Sequence, residues 1–125
     1  MRGAEAYASV IEDTTPPNRL VEVVLERGMW HIAQAEAHIA RRQAWPAHES
    51  LMAAQRAVGS LRGALREDVA PELVAQLRDL YGYVLDRLAW ANIHKDGREL
   101  PDLRRILDVL REAFAEAARK EAERG

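Results

Sequence analysis

Four stretches of this chain repeat an apolar side chain every third or fourth position, and nowhere do apolar and polar residues alternate with the period of a strand. Each stretch therefore carries one apolar seam that a lone helix cannot bury. Glycine and proline mark the breaks. The first helix is expected from "DTTPPNRL", where Thr14 or Thr15 can cap and a proline in the first turn sacrifices no hydrogen bond. Its seam reads Val21, Val24, Leu25, Gly28, Ile32, Ala35 and Ile39, and it should end near Arg42. The second is expected over roughly 46–67 with Leu51, Ala54, Val58, Leu61 and Leu65 on one side. Asp68 then offers a cap for a third helix over roughly 70–95, with a seam of Leu73, Leu77, Leu80, Val84, Leu88 and Ala91. Gly97 can close it in a left-handed conformation. The fourth begins near Leu100-Pro101, buries Leu100, Leu103, Leu107, Leu110, Phe114 and Ala117, and should fray in its charged tail. Similar lengths and short connections point to an all-α fold. The expected architecture is an antiparallel up-down-up-down four-helix bundle over residues 16–125, after a short N-terminal leader, residues 1–15.

Composition narrows the chemistry. At 125 residues the chain fits one domain. A formal net charge of -2, with arginines interspersed among acids, argues against a nucleic-acid binder. With no cysteine, disulfides and thiolate chemistry are excluded. The start "MRGAEAYASVIEDTTPP" lacks the apolar region of a signal peptide, and no apolar run approaches the roughly 20 residues that span a bilayer. A cytoplasmic protein without membrane insertion is expected.

Catalytic and metal signatures are missing. Bundles that hold two irons place a glutamate three residues before a histidine. Here the residues three before His31, His38, His48 and His94 are Gly28, Ala35, Trp45 and Ala91. His31 and His38 stand roughly 10 Å apart along a helix, too far for one ion. The serines, Ser9, Ser50 and Ser60, lie in no nucleophile elbow, and no phosphate-binding loop occurs. We expect no catalytic residue, no metal site, no cofactor and no enzyme. "GSLRG", residues 59–63, reads as close packing of one helix on another, and "RRQAW", residues 41–45, as a solvated helix end.

One stretch resists the ordinary pattern. In "LYGYVLDRLAWANIHKD", residues 80–96, the only formal charges from Leu80 to Ile93 are Asp86 and Arg87. On a helical wheel Ala75, Gly82, Ala89 and Ile93 fall roughly opposite the seam, with Tyr83 and Trp90 on one shoulder. A helix apolar all round is a buried helix. Glycine inside a helix costs about 0.5–1 kcal/mol against alanine, so Gly82 is expected to make room for something. A docking face has Ala75, Gly82 and Ala89 as floor and Tyr83, Trp90 and Ile93 as walls. Tyr7 and Ile11 of the leader are expected to supply a removable flap. The plainer alternative is that Ala75 and Ala89 are helix formers on an exposed face. Asn92 is expected to bridge to a neighbouring helix and Asp96 to cap.

The same stretch, followed by "LPDLRRILDVLREAFAEA", resembles the second half of the flagellar secretion chaperone family, FliS. The likeness rests on Tyr81, Tyr83, Leu88, Ala91-Asn92 and Asp96, and on Leu110-Arg111 followed by Phe114 where the family has tryptophan. The leader tyrosine, the threonine-proline start and "MAAQRAV" fit more loosely. Leu25-Glu26-Arg27-Gly28 departs from the family's Leu-Tyr-Asp-Gly, and Pro101 comes unusually early in the last helix. The resemblance implies a cytoplasmic, non-enzymatic export chaperone. Its client is the disordered C-terminal segment of flagellin, which it keeps from polymerising and competent for type III secretion; components of the export apparatus are further partners. The alternative from the residues alone is a self-associating helical bundle, a homodimer whose back faces pair.

Overall fold

The computed structural model describes residues 18–68 and 70–124; the leader, with Tyr7 and Ile11, and the expected Thr14 or Thr15 cap lie outside them. It contains four helices: α1 (Asn18–Ala40), α2 (Ala44–Gly63), α3 (Pro71–His94) and α4 (Leu100–Arg124). Among the described residues there is no strand. Cross-helix pairs fix the directions. Glu36 near the end of α1 pairs with Arg104 near the start of α4, and His48 near the start of α2 bonds Asn92 near the end of α3. Successive helices therefore run antiparallel. Around the bundle the order is α1, α2, α3, α4, and among the described residues the diagonal helices do not approach each other backbone to backbone.

The α1, α2 and α4 seams form the core as their spacing predicts, with Val24 and Ile39 of α1 only partly buried at its edge. α3 is turned from its expected orientation. Val74 and Tyr81 are fully buried, while Leu73 and Leu80 lie half-buried on the flank. Both sets obey the three-four spacing and share Leu77, Val84, Leu88 and Ala91. Burial raises the pKa of the Tyr81 phenol.

The connections differ from expectation in detail. α2 stops at Gly63, before residue 67. Asp68 does not cap α3; the N-cap is Ala70, and Asp68 pairs with Arg66, whose guanidinium holds the carboxyl below its usual range. Lys95, not Gly97, takes the left-handed conformation that ends α3, with φ 49°. A side chain there costs about 1–2 kcal/mol, and Lys95 Nζ offsets it by donating to the Asn92 carbonyl at 2.6 Å. Asp96 accepts the Arg98 backbone N–H at 2.9 Å, so it caps the turn into α4. α4 stays helical to Arg124 through the tail expected to fray. Gly59 and Gly63 face open space rather than a packed neighbour. The "RRQAW" turn is solvent-exposed, as its charge implies.

Candidate partner-binding surface

Three of the four seams around the ring are closed by side-chain packing; the fourth is open. α3 and α4 run close together over only a short stretch, although five residues join them. Between them lies a groove of about 410 Å³ with an almost wholly apolar wall. Leu80 of α3 and Ile106, Val109 and Leu110 of α4 line it, with Asp102 and Arg105 at the rim. The rotation of α3 is what puts Leu80 there. On α4, Ile106, Val109 and Ala113 form a second stripe beside the leucine seam, because steps of three and four keep them on one flank. Val109 is 60% exposed, while Leu110 is counted in the core. Near the α3–α4 connection, Arg87 donates to Glu99 at 2.6 Å, a bond that raises the guanidinium pKa.

The residues expected to form the docking face divide between two shoulders of α3. Tyr83 is half-exposed and stands one turn from Leu80, on the side of the groove. Trp90 lies on the same shoulder but is partly buried and held. His94 stacks on its ring at 4.4 Å between centroids, and Arg87 and Arg98 lie over it at 5.1 and 5.8 Å. The opposite shoulder carries Ala75, Gly82, Ala89 and Ile93, of which Ile93 is 78% exposed. The room left by Gly82 is met by this protein's own Arg62, whose Nη2 would stand 3.7 Å from an added Cβ. That shoulder thus faces the outer side of α2.

Asn92 bridges to α2 as expected. Its Nδ2 donates to His48 Nδ1 at 2.9 Å when the imidazole proton is on Nε2, and its Oδ1 accepts from Lys95 at 2.8 Å. The arrangement is a structural relay, with each polar group satisfied as burial demands. Among the described residues no group of three potential metal ligands converges, and no helix is long and apolar enough to cross a membrane.

Sequence reasoning missed the α3–α4 groove because it spent Leu73 and Leu80 on the core. The signal was present in α4, whose apolar arc is too wide for a single seam once Ile106 and Val109 are counted.

Comparison with known proteins gives this surface its context. The family described as flagellar protein FliS matches residues 3–121. The chain is 31% identical over 91 residues to the flagellar secretion chaperone FliSB of Pseudomonas aeruginosa, covering 73% of this chain and 72% of that protein. It is 23% identical over 123 residues to the flagellar secretion chaperone FliS of Salmonella typhimurium, covering 94% and 91%. A match over nearly the whole chain, together with the four-helix architecture, places this protein in the FliS family of flagellar secretion chaperones.

Proposed function

We propose that this protein is a cytoplasmic export chaperone that holds the disordered C-terminal segment of flagellin, blocks its premature polymerisation and delivers it to the flagellar export apparatus. The observation that carries the reading is the open apolar groove between α3 and α4 in a member of this family. An amphipathic segment buries its apolar face only against a complementary groove. The segment folds a helix against Leu80, Ile106 and Val109 and continues over Tyr83 on the adjoining shoulder. A wrapping chain then reaches the second shoulder, with Ile93 as its most exposed anchor and Ala75, Gly82 and Ala89 as a low floor. Trp90 supports this surface from below. Tyr7 and Ile11 of the leader act as the removable flap. Ordering the client costs about 2–5 kcal/mol of the gross interaction, which keeps release accessible. The role requires no catalytic step.

Calorimetric titration of the full chain with a C-terminal flagellin peptide tests the reading. Saturable binding with a negative heat-capacity change is expected, the signature of apolar burial. No heat at several temperatures would exclude it.

A further inference from the structure

On the far side of the bundle from the α3–α4 groove, a second concavity runs between α1 and α2 and onto the outer face of α1. Two hollows of about 370 and 430 Å³ meet at Arg27. Val24, Ala53 and Ala57 line the larger, and the two alanines, four residues apart on α2, let another backbone come close. Val23 and Trp30 line the smaller, and Trp30 is 59% exposed. The larger hollow is flanked by cations from both helices, Arg27 on α1 and Arg56 on α2. Both are exposed, and among the described residues neither has an ion-paired or hydrogen-bonded acid. By contrast Arg87, Arg104 and Arg111 each hold a carboxylate. Among the described residues, Glu26 on the outer lip is the one acid lining either hollow. The uncompensated field reaches His31 on the wall, whose pKa is lowered first by burial and then by Arg27 and Arg56.

The geometry points to a second docking groove, between α1 and α2, for an amphipathic helix of a partner protein that carries Asp or Glu on both flanks of its apolar stripe. Charge decides the occupant. A second copy related by a two-fold axis would set the same arginines against each other. A lipid surface is flat, whereas these cations border a hollow in a chain of net charge -2. A carboxylate-flanked helix seated in the larger hollow satisfies both guanidinium groups.

The test uses the full chain and two fluorescent designed peptides of about five helical turns, identical in their leucine stripe and flanked by Glu in one and by Lys in the other. The Glu peptide should bind more tightly, and more weakly as salt rises. The Arg27→Glu/Arg56→Glu double variant should lose about tenfold in affinity for the Glu peptide and gain affinity for the Lys peptide. Val109→Asp, in the other groove, should leave the difference in affinity between the two peptides unchanged, so this site and the flagellin reading can fail separately. Equal binding of the two peptides, or no change in the double variant, overturns the proposal. So does Arg27- and Arg56-dependent sedimentation with phosphatidylserine vesicles, which would assign the groove to a membrane. A tenfold gain in Glu-peptide affinity on Glu12→Lys/Asp13→Lys would also overturn it, by assigning the groove to the chain's own leader.

Discussion

Val109 offers the cleanest separation of binding from folding. It lines the α3–α4 groove yet is 60% exposed, so it contributes little to the bundle itself. Fully burying a side chain of this class stabilises by about 1.5–3 kcal/mol. A docked client closes the exposed three-fifths, which is about 1–2 kcal/mol of binding energy at this one position. Val109→Ala keeps part of that contact and should weaken flagellin-peptide binding about fivefold. Val109→Asp loses it and also places a carboxylate in an apolar groove. Together these cost about 2–4 kcal/mol, or roughly thirty- to a thousandfold in Kd. Because the site is on the surface, stability should change by less than about 0.5 kcal/mol and Tm by about 2 °C at most. Calorimetry gives the Kd and circular dichroism the melting curve. A folded Val109→Asp protein that binds within twofold of the unmodified chain refutes the placement of the client in this groove.

Other consequences are testable without a client. Gly59→Ala should stabilise the bundle by about 0.5–1 kcal/mol, because nothing stands within 4 Å of the new methyl. Gly28→Ala should give no net gain, since its Cβ would meet Leu107 Cδ1 at 3.2 Å; paired thermal melts decide between them. Asn92→Ala should cost about 1–3 kcal/mol in urea denaturation by stranding the partly buried His48 and Lys95 ends of the relay. His31 should titrate below 6.5 by NMR, and Arg56→Gln should raise it while leaving it under 6.5, because burial is the larger cause. Its sign in stability follows. The unfolded chain takes up a proton near 6.5 before the folded chain does, so this group's contribution falls as pH drops from above 6.5 through the lowered folded value. A His31→Gln variant should lose that part of the slope.

The seams of α1, α2 and α4 were legible because most of their leucines, isoleucines and valines fall on one three-four ladder, even in α4, where Ile106 and Val109 widen the arc. α3 was ambiguous: Leu73 and Leu80 or Val74 and Tyr81 complete the same three-four ladder. Hydrophobicity favours the leucines, whereas the bundle buries the tyrosine. That single choice turned the expected outer face, grouping Gly82 with Tyr83 when the helix presents them on different shoulders. The bridging role of Asn92 could be read, because a buried amide needs partners. The left-handed Lys95 could not, since its stability comes from a side-chain hydrogen bond back to Asn92 rather than from the residue's own backbone preference. Gly82 looked like a vacancy on the wheel, and only the path of Arg62 across the α2–α3 seam shows what meets it.

Leu110 belongs to two inventories at once, part of the interior and part of the groove wall, with 8% of its surface still wet. Nothing that settles over it can be indifferent to the state of the bundle. A client that seals this position ties its own dissociation to the breathing of α4, so amide exchange along that helix should slow on complex formation. The carrier is then most durable while loaded, and the empty form is the one that chaperone turnover would find first.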